Sequence, residues 1–326
     1  MKKLLSIFLV FSMLLGISAC GVTSAESAES AASAASAEAS SLQEPPSPEP
    51  SEEPTPTPTP TPEIAVSAQD DESSAASELL EQDVVLVDDE NCTVKLVSVA
   101  PDNDWGYTWN MYLENKTEQN LMFSMDDVSI NGVMCDPFWA TVVTAGKKAN
   151  QEISWDPDEF EQIGITEVTV VEFNLSIYDD DDWNAADLLN ETFTVYPLGE
   201  DAATIIERTP ADSDITLFDN DSCTMLITGF DPDGLWGYTM NAYLINKTDK
   251  TLVFSIDDAS VNDAMCNPFW ASYVAPGKVS YASISWSPDD FEINDITTVE
   301  QIQLDISVMD DDLTTELVSD TFTIEP

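Results

Sequence analysis

The sequence predicts an all-β protein in which two tandem β-sandwich domains follow an export signal and a disordered tether. Three observations predict this organisation. Residues 1–20 have the layout of a secretory signal, and residues 21–82 have the composition of a chain that does not fold. The rest of the chain contains two copies of one pattern of short strands. At 326 residues, the chain has room for two domains.

The first twenty residues carry the export signal. Lys2 and Lys3 precede an apolar run from Leu4 to Leu15, which is shorter than the ~20 residues that a spanning helix needs. The following Ile17-Ser18-Ala19-Cys20 resembles the lipobox of bacterial lipoproteins. In that family, the cysteine receives a diacylglyceryl group and becomes the first residue of the mature chain. The resemblance implies a lipid anchor on Cys20 and an extracytoplasmic location; the alternative is an ordinary cleaved signal in which this cysteine is incidental.

The segment 21–82 is predicted to be a disordered tether. Residues 22–42 are almost all Ser, Ala, Glu and Thr, and proline recurs between Glu44 and Glu63. Because proline fixes φ and lacks an N–H, the second stretch favours an extended polyproline II conformation. We therefore expect a spacer that carries the domains away from the membrane. A glycosylated stalk and a ligand for a proline-binding partner are the alternatives.

An internal repeat occupies the remainder of the chain. Residues recur 131 positions later without a gap, as Cys92 recurs in Cys223, until an acidic loop at 179–182. A register of this length and regularity indicates a duplicated domain. We place the two domains at 83–197 and 214–326, joined by an acidic linker at 198–213.

Each copy has the pattern of a β-sandwich. Residues 93–99 alternate between polar and apolar, which is typical of a half-buried strand, and Asn115-Lys116-Thr117 is a turn between apolar runs. Asn131-Gly132 suits the positive φ values of a type I′ hairpin. Asp156-Pro157, repeated as Ser287-Pro288, predicts a short capped helix. About seven strands in each copy predict an immunoglobulin-like sandwich.

The order of these motifs resembles a known group of domains. It runs as an Asn-Lys-Thr turn, an Asp-Asp-x-Ser-x-Asn hairpin, Gly-Lys, Ile-Ser-Trp and Pro-Asp-x-Phe, in both copies. This order is similar to uncharacterised immunoglobulin-like, telokin-like domains of Gram-positive bacterial lipoproteins. The resemblance implies the fold and a Gram-positive cell surface, and it implies no active site.

Composition restricts both partners and chemistry. The formal net charge is −52, from 10 basic and 62 acidic residues, and it repels nucleic acids and anionic lipid headgroups. The chain has no histidine, which removes the usual general base and the commonest metal ligand. Paired carboxylates could in principle serve a glycosidase. We nevertheless predict a protein that is not an enzyme, uses no cofactor and binds no nucleic acid.

Four cysteines remain after Cys20, two in each copy. An even number in an exported protein favours disulfides, and we predict the pairs Cys92–Cys135 and Cys223–Cys266. Buried thiols packed as small hydrophobic residues are the alternative.

Aromatic residues shared by the two copies are the candidate ligand contacts. Exposed tryptophan and tyrosine stack on sugars and hold protein partners, whereas Trp155 and Trp286 alternate with isoleucines and are predicted to lie in the core. The candidates are Trp105, Tyr107, Phe138, Trp139, Trp236, Tyr238, Phe269 and Trp270. A second hypothesis is that the acidic loops at 179–182 and 310–312 bind calcium weakly. The alternative is that these loops are simply solvated.

The leading functional hypothesis is a lipid-anchored, non-enzymatic binding or adhesion module for a surface protein or a glycan. The alternative is a structural spacer that only projects or protects. A binding module should expose aromatic residues at matching positions in both copies, and a spacer should bury them.

Overall fold

A computed structural model describes residues 84–182 and 184–326, apart from the side chain of Asp102. The signal with Cys20 and the tether at 21–82 lie outside the described residues, and the predictions for them stay predictions. The described chain is all-β and forms two tandem immunoglobulin-like sandwiches, which confirms the predicted fold class. Among the described residues, no helix is long and apolar enough to cross a membrane.

The first sandwich is built from two sheets. One sheet has the strand order β1-β2-β3-β7, so that three consecutive strands lie side by side. In the other sheet, β4 pairs with β8 and with the short strands β5 and β6, and β9 forms the edge next to β8. The strands are β1 (Val84–Asp88), β2 (Cys92–Asn103), β3 (Gly106–Asn115), β4 (Leu121–Ile130), β5 (Val133–Met134), β6 (Ala140–Val143), β7 (Lys148–Trp155), β8 (Val171–Asp179) and β9 (Leu189–Val195).

The second sandwich repeats this arrangement, with β10-β11-β12-β16 facing β13, β14, β15, β17 and β18. Its strands are β10 (Ile215–Asp219), β11 (Cys223–Gly234), β12 (Gly237–Asn246), β13 (Leu252–Val261), β14 (Ala264–Met265), β15 (Ala271–Val274), β16 (Val279–Trp286), β17 (Ile302–Asp310) and β18 (Glu316–Ile324).

Alternating side chains fill each core. Along β8, Val171, Phe173 and Leu175 point inward, as the period of two requires of a strand with one buried face. Trp155 is fully buried, as predicted, and its ring meets that of Trp109 edge-on at 5.3 Å. Such an edge-to-face pair adds about 1 kcal/mol to the burial of its area.

The predicted turns and helices are present. Asn131 and Gly132 have φ values of 50° and 84°, as a type I′ hairpin requires. Helix α1 (Pro157–Ile163) begins after Asp156, whose side chain accepts a hydrogen bond from the Asp158 N–H. Helix α2 (Pro288–Ile293) is capped in the same way by Ser287.

The predicted disulfides are wrong, because the four cysteines are buried free thiols. Cys92 lies opposite Asn115, at the end of β3, whereas the Cys135 carbonyl accepts a hydrogen bond from the Trp155 indole at 3.0 Å. Trp155 lies opposite Tyr107, at the beginning of β3. The two ends of β3 are roughly 27 Å apart at a rise of ~3.4 Å per residue. A disulfide needs Cα atoms within about 7 Å.

The same separation holds in the second copy and prevents a bond between Cys223 and Cys266. Cys223 lies opposite Asn246 at the end of β12, and the Cys266 carbonyl accepts from Trp286 at 2.7 Å near its beginning. Burial raises the pKa of the Cys92 thiol to about 12, which suppresses the reactive thiolate. The alternative of thiols that pack as small hydrophobic residues describes this structure.

The two sandwiches contact each other through a strand pair. Val279 of β16 lies parallel to Val133 of β5, so that one sheet continues from the second domain into the first. Beside this pair, the Lys278 ammonium binds the Glu172 carboxylate at 2.8 Å, with the lysine side chain only 15% exposed.

The linker packs against both domains. Its Ile206 N–H donates to the Asn131 carbonyl of the first domain at 2.9 Å. Its Arg208 makes a two-pronged ion pair with Asp214, at 2.6 and 2.7 Å, and lies 5.5 Å from the centre of the Tyr243 ring of the second domain. These contacts order the linker between the two domains. The acidic composition of the linker did not predict this packing.

Candidate functional site

Four of the eight candidate aromatic residues are strongly exposed, and they occupy matching positions in the two copies. Trp105 is 73% exposed and Phe138 is 89% exposed in the first domain. Their counterparts, Trp236 and Phe269, are 75% and 84% exposed. Burying a large apolar side chain lowers the free energy of the folded chain, so solvent-facing aromatics at matching positions in both copies indicate a candidate interaction site.

The segments that carry Trp105 and Phe138 both contact Trp155. Trp105 occupies the turn between β2 and β3, and the backbone of the next residue, Gly106, lies so close to the Trp155 carbonyl that a Cβ atom would be 2.1 Å from that oxygen. The Trp155 indole in turn donates to the Cys135 carbonyl at 3.0 Å, three residues before Phe138. We call Trp105 and Phe138 the first aromatic tip.

The loop between β5 and β6 holds Phe138 in a strained backbone conformation. Phe138 has a φ of 50°, and Phe269 has 53° at the matching position. This left-handed region costs a bulky residue about 1–2 kcal/mol. An acceptor two residues earlier fixes the loop: the Phe138 N–H donates to Asp136 at 2.7 Å, and the Phe269 N–H donates to Asn267 at 3.0 Å.

The other four candidates belong to the two cores. Tyr107 is buried, and its ring contacts those of Trp155 and Phe160 at 5.8 and 6.1 Å, so the prediction that it binds a ligand is wrong for this residue. Tyr238 is half-buried against Trp286 in the same way. The partly buried Trp139 and Trp270 pack against the two cores.

The second aromatic tip contains a residue that the sequence analysis missed. Leu235 is 90% exposed and precedes Trp236 in the turn between β11 and β12, so we define this tip as Leu235, Trp236 and Phe269. The first copy has Asp104 at the corresponding position. The signal was available, since Leu235 is an apolar residue next to a turn glycine, but it is absent from the other copy and the comparison of repeats passed over it.

Acidic side chains lie near the loop that carries Phe138. Asp136, which holds the Phe138 loop, is half-buried, and burial is the main reason that its pKa rises from 3.8 to about 6. The nearby carboxylates of Asp126, Asp127 and Glu159 raise the pKa further, while the hydrogen bond from the Phe138 N–H opposes the rise. The loop that presents Phe138 therefore carries a carboxyl group whose pKa is raised to about 6.

The acidic loops do not have the form of calcium sites. Asp179 is buried and accepts hydrogen bonds from the Gln119 side chain at 2.7 Å and from the Asp181 N–H at 2.9 Å. Its counterpart Asp310 accepts from Lys250 at 3.0 Å and from backbone N–H groups of its own loop. Protein donors thus occupy the carboxylate that begins each loop. Within 84–182 and 184–326, no cluster of three or more potential ligands could hold a metal ion.

No known family model matches the chain, and no curated protein matches it. Among solved structures, the YadV chaperone is 13% identical, with 67% of this chain and 92% of that chain covered and a TM-score of 0.20. The Salmonella enterica SafA pilin in complex with the SafB chaperone gives 11% identity, 67% and 89% coverage and a TM-score of 0.17. The CsuC–CsuE chaperone–tip adhesion subunit pre-assembly complex of Acinetobacter baumannii is 10% identical, with 66% of this chain and 90% of that chain covered and a TM-score of 0.19.

Proposed function

We propose that this chain is a non-enzymatic binding or adhesion module whose two aromatic tips contact a ligand outside the cell. One observation carries the proposal: tryptophan and phenylalanine are exposed at matching positions in both domains. Aromatic side chains that remain in solvent contribute little to folding, so their presence at matching positions in both copies favours a role in ligand contact. Tandem copies of a weak site increase overall affinity when both can bind together.

The strain at Phe138 and Phe269 supports the same proposal. Both residues occupy the left-handed region, and the side chains lie almost wholly in solvent, so packing does not offset the backbone cost. A pure spacer has no use for such a loop. The geometry therefore favours a binding module over a spacer, which was the alternative drawn from the sequence.

Lipid on Cys20 completes the proposal as the membrane anchor. The support is the order of features in residues 1–20, which lead from a basic start through an apolar run to the cysteine. Two acyl chains give stable membrane attachment where one does not. We expect Cys20→Ala to move the protein from the membrane fraction to the soluble fraction of the cells that express it. Retention of this variant in the membrane fraction would contradict anchoring at Cys20.

Binding is tested with the full chain on panels of purified surface proteins and glycans. The test variant combines Trp105→Ala, Phe138→Ala, Trp236→Ala and Phe269→Ala. We expect it to lose at least about tenfold in affinity for any ligand that the wild-type chain binds, because exposed aromatic anchors carry most of the energy of such contacts.

A matched control removes exposed apolar side chains elsewhere. Val85 and Val142 are 51% and 43% exposed and lie on β1 and β6. The variant Val85→Ser, Val142→Ser should keep the affinity of the wild-type chain. Equal binding by the tip variant and the wild-type chain would refute the proposal.

A further inference from the structure

We propose that the aromatic tips bind a cationic polypeptide segment, rich in lysine or arginine, rather than a neutral ligand. This inference rests on the proposed function and names the chemistry of its partner. The observation behind it is that the lysines of each domain lie away from that domain's own aromatic tip. Acidic residues occur at both ends of each domain, but at the remote end lysines pair with them.

The second tip shows the acidic side. Asp231 and Asp233 lie on the strand that leads into the Leu235–Trp236 turn, and both are exposed. On the other side of the turn, a Cβ on Gly237 would be 3.0 Å from Pro288, the first residue of α2. The first turn of α2 carries Asp289 and Asp290, which are also exposed. Segments that carry carboxylates therefore lie on both sides of the turn that contains Trp236.

The basic residues of the second domain lie at the far end of β12, which finishes at Asn246. Lys247 binds Asp219, and Lys250 binds Asp310 at 3.0 Å. The carbonyl of Lys278 accepts from the Asn246 N–H at 3.0 Å. This end is roughly 27 Å from the tip, because eight residues of strand separate Tyr238 from Asn246. A Debye length is only about 8 Å at physiological ionic strength, so these cations do not neutralise the tip.

The lysines of the first domain also lie away from its own tip, whereas Lys278 of the second domain lies beside β5, which leads into the loop that carries Phe138. Lys116 binds Asp88 at 2.7 Å and Lys148 binds Glu114 at 3.3 Å, both at the end of β3 that is remote from Trp105. Lys147 also lies at this end, since its carbonyl accepts from the Asn115 N–H. Lys95 lies opposite Tyr112, about 17 Å along β3 from Tyr107. Around the tip are instead Asp104, Asp136 and the acids at the start of α1.

An exposed indole between carboxylates matches one kind of side chain best. The face of a tryptophan ring attracts a lysine or arginine cation by about 0.5–1 kcal/mol at an exposed site, and carboxylates beside the ring add Coulomb attraction. The apolar stem of the same side chains can cover Leu235 and Phe269. A neutral sugar would also stack on the ring, but it would make no use of the negative charge around it. Charge complementarity thus selects a basic polypeptide.

The experiment measures binding of a short oligolysine peptide to the full chain, with a glycine–serine peptide of equal length and a panel of neutral oligosaccharides as the other probes. Replacing both tip tryptophans, Trp105→Ala with Trp236→Ala, should weaken oligolysine binding about fivefold without any change in net charge. Trp105→Phe with Trp236→Phe keeps a ring face and should retain most of the affinity. Circular dichroism confirms that each variant is folded.

A chain with a net charge of −52 attracts any polycation, so a charge-matched pair of variants isolates the tip. Asp233→Asn with Asp289→Asn removes two acids beside Trp236, and Glu316→Gln with Asp320→Asn removes two exposed acids on β18. Both pairs are made with Trp105→Ala and Phe138→Ala, so that only the second tip is measured. The first pair should weaken oligolysine binding about threefold more than the second pair.

Each outcome decides between the two proposals. Equal losses from the two acid pairs would mean that net charge alone attracts the peptide, and this inference would be wrong. Binding of neutral oligosaccharides that depends on the tryptophans, without tryptophan-dependent oligolysine binding, would also overturn it but would uphold the proposed function. If the tryptophan variants change binding of no probe, the proposed function and this inference fall together.

Discussion

Gly106→Ala should destabilise the first domain by about 4 kcal/mol, a large part of the stability of a single domain. Gly106 has a φ of 93°, which disfavours any residue with a Cβ, and the added Cβ would be 2.1 Å from the Trp155 carbonyl oxygen. That oxygen belongs to Trp155, the last residue of β7, and has little freedom to move because the strand pairs with β3 on one side and α1 follows on the other. Urea unfolding of the full chain, followed by tryptophan fluorescence and far-UV circular dichroism, measures the effect.

The chain supplies its own comparison for this prediction. Gly146 also has a positive φ, of 65°, but no heavy atom lies within 4 Å of its Cβ position. Gly146→Ala should therefore cost only about 1 kcal/mol, the strain of the backbone alone. Gly237→Ala should resemble Gly106→Ala, because its Cβ would be 2.1 Å from the Trp286 carbonyl oxygen. A Gly106→Ala chain as stable as the Gly146→Ala chain would show that the turn carrying Trp105 does not pack as described.

Asp136→Asn should stabilise the first domain by about 2 kcal/mol at pH 7.5 and by much less at pH 4. The pKa of Asp136 is about 6 in the folded chain, against 3.8 for an ordinary aspartate, mainly because burial disfavours the charged carboxylate. A raised carboxyl pKa means that stability is highest below the unfolded value and is lost as the pH rises through the folded value. Two pKa units correspond to about 3 kcal/mol, and partial exposure reduces this figure by screening.

Asparagine keeps the side-chain oxygen that accepts from the Phe138 N–H, as Asn267 does for Phe269 in the second domain. The variant thus removes the charge and preserves the loop. Thermal unfolding at pH 4, 5, 6 and 7.5 measures the effect, with Asp320→Asn as an exposed control that changes the net charge equally. If Asp136→Asn and Asp320→Asn changed the unfolding temperature equally at every pH, burial would not destabilise the charged carboxylate of Asp136 in the folded chain.

The two aromatic tips show how far repeat comparison can lead. Matching positions in the two copies identified Trp105 and Phe138 as candidates because duplicated residues share their environments. The same comparison could not separate Phe138 from its neighbour Trp139, since both recur 131 positions later. Only the φ of 50° at Phe138 turns one ring outward and leaves the other partly buried against the core. Leu235 was missed for the opposite reason, because only one copy contains it.

The sequence by itself determined the strands, the Asn131-Gly132 hairpin and the helix caps at Asp156 and Ser287. These features depend on contacts between residues a few positions apart, so a short stretch of sequence is enough to predict them. The tertiary structure alone decided that Cys92 and Cys135 lie at opposite ends of a strand, that Tyr107 is buried, and that the linker packs on both domains. Each of these depends on which distant segments meet in space, and a sandwich brings together segments whose separation along the chain gives no measure of their distance.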